Sequence, residues 1–446
     1  MRVEKPPTLG ELLERLSEEE PKLLMAALTH PEATQVAPSG KYRHWDTLRH
    51  LTPPEGLSHE QWWVAIKMTR HGLAKSLPLT DPEGLPFSYL VPDPAQAHLH
   101  YIDQHASGEI AVSEVVTDDE SARRQFLVNS LIEESIRSSQ LEGATTTRRV
   151  AKDMIRSGRP PADRSERMIL NNFRAMEYIR DDLGDELTPQ SVLELQRILT
   201  EETLDNADAA GRVQRPDEQR ISVWYGEVQV HEPPPAEQLA ARLEALCDFA
   251  NTETDQSGFL HPVIRSILIH FWLGYDHPFE DGNGRTARAL FYWSMRKHGY
   301  WLTEYLSISR IFRKAPAKYG RAFLFTETDE RDATYFILFH LDVIRRAIDE
   351  LQVYLRRKMT EIRRFERKLR EADHFNHRQL ALLQDAVRNP DQRYSFESHR
   401  RSHKVSFATS RNDLLDLWEK KLLDRRRIGR QYAFFPVEDI EEKLSS

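Results

Sequence analysis

The chain has 446 residues, 39% hydrophobic and 30% charged, an ordinary soluble composition with enough apolar material for two or three folded domains. A single cysteine, Cys247 on an apolar helical pattern, excludes an intrachain disulfide framework and a cysteine-rich metal site. The N-terminus is not of secretory type and no run of roughly 18 apolar residues occurs, so the expectation is a cytoplasmic protein that neither leaves the cell nor spans a membrane. The net charge of −8 is uneven: Leu351 to Arg430 holds 21 Lys/Arg against 11 Asp/Glu, a basic tail on an acidic body, which suggests a polyanion partner for the tail alone.

Residues 1–118 read as an irregular lead-in, with a helical stretch from Leu12 to Met25 and a paired segment near Trp62, Trp63 and Ile66. Turns at Pro53-Pro54, Pro82-Glu83-Gly84 and Pro92-Asp93-Pro94 break it repeatedly. Helical periodicity sets in at Asp119, with Phe126, Leu127, Ile132 and Ile136 on one face and Gly143 where a C-cap belongs. A proline-containing turn leads to a helix from Ser165 to Leu183, and Thr188-Pro189 opens another from Gln190 to Thr200. Residues 218–232 alternate at Ile221, Val223 and Tyr225 and again at Val228 and Val230, with Gly226 between, which predicts a short hairpin or extended flap.

Helices follow over Ala236 to Phe249, His261 to Leu273, Gly284 to Lys297, Ser309 to Phe323 and Ala333 to about Leu369. The fold class is thus mainly α, poor in material for a parallel nucleotide-binding sheet. Residues 119–350 form the main domain and 351–374 a basic linker helix. In 375–446, helices at His377 to Val387, Phe396 to Lys404 and Ser410 to Leu422 precede a small hairpin turning at Gly429, a winged-helix arrangement.

The chemistry concentrates in His277-Pro278-Phe279-Glu280-Asp281-Gly282-Asn283-Gly284-Arg285-Thr286-Ala287-Arg288. Gly282 and Gly284 let successive backbone N–H groups turn inward, and Gly284 leads into a helix whose free N-terminal donors attract phosphate. Arg285 and Arg288 are three residues apart and share a helix face, so both guanidinium groups can address one polyphosphate. Asp281 is placed to hold a hard divalent cation bridging phosphate oxygens. His277, with an ordinary pKa of about 6.5, can take a proton from an attacking hydroxyl.

This segment matches, at every defined position, the HxFx(D/E)GNGRxxR signature of the Fic (Fido) family of protein adenylyltransferases. The resemblance runs from about Asp119 to Arg346 and includes PPPAEQLAARLEAL, HPVIRSILIHFWLGYDHPF and SISRIF. It implies a Fic-type helical core in which His277 deprotonates the target hydroxyl and Phe279 anchors the motif. By the same resemblance Asp281 holds Mg²⁺, for which Mn²⁺ can substitute, and Gly282, Asn283 and Gly284 cradle the α and β phosphates of ATP. Arg285 would contact the β phosphate and Arg288 the γ phosphate. The implied reaction transfers AMP to a Ser, Thr or Tyr hydroxyl of a target protein, the chain itself among the candidates, with a homodimer also open. The flap residues Ile221, Val223, Val228 and Val230 would align the target by main-chain pairing.

Ser138-Ser139-Gln140-Leu141-Glu142-Gly143 matches the family's inhibitory (S/T)xxxE(G/N) motif, with Ser138, Glu142 and Gly143 at its defined positions. There the glutamate pairs with the second motif arginine, here Arg288, and keeps the γ phosphate from seating. The same Glu142 could orient water, so removal of AMP is the alternative reaction; a DNA-binding regulator that only senses nucleotide is the non-enzymatic one. The tail resembles the winged helices appended to Fic proteins, with ATSRNDLLDLWEKKLL in place of TARRDLxxLxxxGxL. That would put Thr409, Arg411 and Asn412 on a recognition helix open to DNA contact, with a protein-docking or dimer module as the other, favoured reading of such a domain.

Overall fold

The computed structural model describes residues 3–107, 120–225, 228–252, 258–371, 375–388, 392–428, 431–437 and 440–443. The chain divides into two compact units, one drawn from Met1–Gly108 and Asn129–Asp349, the other from Glu109–Val128 and Glu350–Ser446. Among the described residues no helix is long and apolar enough to cross a membrane.

The N-terminal part of the first unit is more regular than its turn-rich sequence predicts. It comprises α1 (Leu9–Glu19), α2 (Pro21–Thr29), α3 (Trp45–Leu48), α4 (His59–Leu73), an antiparallel hairpin of β1 (Lys75–Thr80) and β2 (Pro86–Tyr89), and α5 (Asp93–Ala106). The single helix expected from Leu12 to Met25 is two. Glu20 leaves the helical region (φ −137, ψ 50), and Pro21, which lacks an N–H, opens the second. The expected paired segment at Trp62, Trp63 and Ile66 is instead the buried face of α4, whose start is fixed by a capping box between Ser58 and Gln61. Buried bonds fasten this part to the remainder of the unit: Lys67 Nζ donates to Asp329 Oδ1 at 2.8 Å, and Leu90 N to Thr334 Oγ1 at 2.9 Å.

The helical core continues with α6 (Glu120–Leu141), α7 (Arg148–Ser157), α8 (Arg164–Asp181) and α9 (Pro189–Thr200). Of these α7 replaces part of an expected turn; Thr147 caps its start and Gly158, at φ 68, its end. A two-stranded hairpin follows, β3 (Val223–Tyr225) against β4 (Val228–His231), pairing Val223 with His231, Trp224 with Gln229 and Tyr225 with Val228. Gly226, expected at its turn, lies outside the described residues. Next come α10 (Leu239–Asn251), α11 (Pro262–Asp276), α12 (Asn283–Lys297), α13 (Ile308–Lys314), α14 (Pro316–Thr328) and α15 (Thr334–Glu371). The helix expected over Ser309 to Phe323 is divided at Ala315 because Pro316 begins α14.

α11 and α12 form the centre. Ser266 bonds Ser294 between them at 2.8 Å, and Phe271, Phe279, Phe291 and Trp293 are almost wholly buried. A rigid, apolar helix pair thus brackets the loop 277–282, which is what a precisely held polar site requires.

In the second unit, α16 (His377–Arg388), α17 (Phe396–His403), α18 (Phe407–Glu419), the hairpin of β5 (Leu423–Ile428) with β6 (Gln431–Pro436), and α19 (Ile440–Lys443) surround a core that includes Leu382, Leu383, Leu414, Leu417 and Phe434. The buried carboxylate of Asp413 joins three parts of it, accepting from Arg378 Nε at 2.7 Å and Asn376 Nδ2 at 2.9 Å and meeting His399 Nε2 at 3.1 Å. That buried charge is therefore paired and satisfied. α18 begins three residues before the expected Ser410 because Ser406 caps it. The expected turn residue Gly429 lies outside the described residues.

Candidate active site

The loop from α11 to α12 is shaped by two left-handed residues. His277 caps the C-terminus of α11 at φ 44, ψ 53, and Gly282 caps the N-terminus of α12 at φ 88. Glycine suits the second position, where a Cβ would also lie 2.9 Å from Thr200 Cγ2. For His277 the conformation is unfavourable by sterics and must be held from outside. Asn283 closes the loop: its side chain accepts from Phe279 N at 2.9 Å, donates to Phe279 O at 2.8 Å, and lies 3.2 Å from His277 Nδ1. Phe279 is fully buried beneath.

The half-buried His277 ring has its pKa pushed down to about 3, first by burial and then by the cations of His231 and Arg220. It is therefore neutral throughout the physiological range. His231 is itself raised: burial opposes its charge, but the bond to Glu327 and that carboxylate's charge outweigh it.

The two arginines of α12 are buried and differently engaged. Arg285 donates Nη1 to Leu199 O at 2.8 Å and Nη2 to Asp281 Oδ2 at 3.0 Å. Arg288 donates Nε to Ser138 Oγ at 2.9 Å, and Nη2 both to Ser138 O at 3.2 Å and to Glu142 Oε1 at 2.8 Å. Its charge is held despite burial by Glu142, which raises its pKa. Both therefore share the helix face expected from their spacing, but each already has a carboxylate partner.

Glu142 does more than pair. A Cβ built on Gly284 would lie 2.3 Å from Glu142 Oε1 and 3.0 Å from Arg288 Nη1. The carboxylate thus rests directly on the first turn of α12, where the helix's free N–H groups favour an anion. Gly143, at φ 94, turns the chain away just after it.

Several residues around this cluster carry no sequence motif. Gln196 donates to Asp281 O at 3.1 Å and accepts from Gly211 N at 2.6 Å, pinning the acidic end of the loop. Glu134, two turns before Glu142 on α6, is buried and accepts from Ser307 Oγ at 2.8 Å, Ser309 N at 3.3 Å and Ser309 Oγ, so the helix bearing Ser138 is tied to the start of α13. Burial pushes its pKa up, against the hydroxyl bonds. Of the two serines of SISRIF that it meets, Ser309 is buried and Ser307 half-buried.

The β3–β4 hairpin borders an open groove of about 710 Å³ lined by Gln214, Glu218, Ile221, Trp224, Gln229 and Glu280. Ile221 lies just before β3, Val223 on it, and Val228 and Val230 on β4. Trp224 is 58% exposed there. In the second unit Arg411 and Asn412 are exposed and Thr409 is half-buried on α18.

Comparison with known proteins agrees with this geometry. The Fic/DOC family pattern matches residues 186–295. The chain is 29% identical over 197 residues to the protein adenylyltransferase Fic of Drosophila willistoni, covering 43% of this chain and 37% of that protein. It is 35% identical over 134 residues to the counterpart from Drosophila grimshawi, covering 30% and 25%. The matched region thus spans little more than a third of these curated relatives at most. A crystal structure of a Fic family protein from Desulfovibrio desulfuricans G20 shares the fold at a TM-score of 0.51 and 21% identity, covering 77% of this chain and 94% of that one. Residues 186–295 therefore match the Fic/DOC family pattern, and over part of its length the chain is similar to known Fic adenylyltransferases.

Proposed function

We propose that this chain is a protein adenylyltransferase that moves AMP from ATP to a Ser, Thr or Tyr hydroxyl of a protein and that Glu142 restrains it. The observation that carries the reading is the convergence of His277, Asp281, the Gly282–Gly284 turn, Arg285 and Arg288 on one helix N-terminus. A triphosphate laid on that terminus meets backbone N–H groups and two guanidinium groups on its leaving side. The hydroxyl oxygen attacks the α phosphorus, the bond to the β-phosphate oxygen breaks, and pyrophosphate leaves with its charge met by Arg285 and Arg288. The hydroxyl proton passes to the neutral imidazole of His277, whose low pKa rises as the polyanion seats beside it.

Asp281 fits Mg²⁺: it offers one hard, partly exposed carboxylate beside the phosphate cradle, the sparse protein donation that this ion accepts when substrate phosphates and water complete its shell. Bound there, the ion would supply neutralisation of phosphate charge. The reading assigns Ile221, Val223, Val228 and Val230 to target alignment, since β3 and β4 form a two-stranded hairpin beside the groove. The test uses ATP labelled separately at the α and γ phosphates. Label retained on protein from the α position alone, with an AMP-bearing peptide recovered by mass spectrometry, is expected; retention of the γ label, or of neither, contradicts it.

The three helices and hairpin within residues 375–446 support a winged-helix reading; the basic stretch expected as a separate linker helix over 351–374 is, as far as it is described, the end of α15 (Thr334–Glu371). Arg411 and Asn412, exposed on α18, and Arg425–Arg427 on β5 are the side chains that would meet phosphates if this unit binds duplex DNA; a protein-docking role is the other reading of the same surface. On the DNA reading the full chain is expected to retard duplex DNA at low ionic strength, with log affinity falling against log salt by about 0.9 per phosphate contacted. Absence of retardation even at low salt contradicts that reading.

A further inference from the structure

Four consecutive carbonyls at the end of α11 are all satisfied by the segment that carries the β3–β4 hairpin. Tyr275 O meets His231 Nε2 at 2.6 Å, Asp276 O accepts from Arg220 Nη2 at 2.9 Å, His277 O accepts from Arg220 Nη1 and Nη2 at 3.2 Å each, and Pro278 O accepts from Gln214 N at 2.8 Å. Helix-end carbonyls lack intrahelical partners and carry partial negative charge, so a cation is well placed there. Arg220 has a second set of bonds: Nε donates to Pro234 O at 2.9 Å, and Nη1 to Gln214 Oε1.

One planar guanidinium therefore ties the chain just before β3 and just after β4 to the two peptide groups that flank the His277 Cα. Those two peptide groups define φ and ψ of His277, which lies in the left-handed region. A five-donor planar fork can hold all these acceptors at once; an ammonium on a flexible stem cannot. His231 reinforces the link, because its other nitrogen meets Glu327 Oε2 at 2.8 Å, and an imidazole facing two acceptors donates to both only as a cation.

We propose that Arg220 is a positioning residue that sets the backbone of His277 from the base of the hairpin, so that the proton-accepting ring is placed by the same element that receives the acceptor segment. This rests on the AMP-transfer reading of the site. Arg220 touches neither the phosphate cradle nor Arg288, so its loss acts on the chemical step and leaves nucleotide binding alone.

The test is carried out in the full chain with Glu142→Gly, adding Arg220→Met or Arg220→Lys, and reads kcat, KM for ATP and the thermal midpoint. Arg220→Met is expected to lower kcat by up to about 10²-fold with KM for ATP unchanged. Arg220→Lys, which keeps the charge and guards against simple unfolding, is expected to restore folding stability without restoring kcat. Adding Arg220→Met to His277→Ala is expected to remove no further activity. Unchanged kcat in Arg220→Met, full activity in Arg220→Lys, or KM rising in step with the fall in kcat overturns the assignment. Absence of transfer from the protein with Arg220 intact overturns the AMP-transfer reading, and this inference with it.

Discussion

Glu142→Gly is expected to raise AMP incorporation by on the order of tenfold to a hundredfold, the range that a coupling of a few kcal/mol between two competing ligands of one group produces. The competition is visible in the geometry. Arg288 is 2% exposed and gives Nη2 to Glu142 at 2.8 Å, while the same carboxylate covers Gly284 at the start of α12. An incoming polyphosphate needs both the guanidinium and the helix terminus, and it is repelled by the charge already there. Removing the glutamate takes the carboxylate partner from a buried guanidinium, which keeps only its two bonds to Ser138, so the variant is also expected to lose thermal stability. The gain is expected in the rate at subsaturating ATP, measured with α-labelled nucleotide.

His277→Ala is the second large effect, a loss of about 10²- to 10⁴-fold, the contribution of a positioned base. Its hydrogen-bonded neighbours do not take its place: Asn283 cannot accept a proton at neutral pH, and Arg220 and His231 already donate to backbone carbonyls. The loss is expected equally with Glu142 present or replaced, since Glu142 pairs with Arg288 and makes no bond to His277. Undiminished labelling in the alanine variant would remove His277 from the reaction.

The centre of this molecule was readable in the sequence because it depends on local chemistry. Gly282-Asn283-Gly284 turns the chain into a helix here, and the spacing of Arg285 and Arg288 places them on one face of it. The long apolar helices were equally legible from their period. Three kinds of feature were not. Short helices broken by proline, such as α1, α2, α13 and α14, lose their period within two or three turns, and α7 carries only Ala151 and Met154 as buried residues. Trp62 and Trp63 resembled strand residues and were drawn into α4 by burial on a capped helix.

The third kind concerns the site itself. Arg220, Gln196 and His231 act through backbone carbonyls distant in sequence, and such acceptors carry no side-chain signature. Glu134 likewise reaches Ser307 and Ser309 across more than 170 positions. The partners of Arg285 belong to the same class: spacing assigns it a helix face, but only the fold reveals that Leu199 O and Asp281 already hold it.

In the proposed function the transfer site is restrained by the Glu142 carboxylate that pairs with Arg288. Incorporation of α-labelled ATP into protein, compared among the unaltered chain, Glu142→Gly and Glu142→Gly/His277→Ala, tests it most directly. The expected order is weak labelling, strong labelling and none; equal labelling of the first two, or labelling that persists in the third, would contradict it.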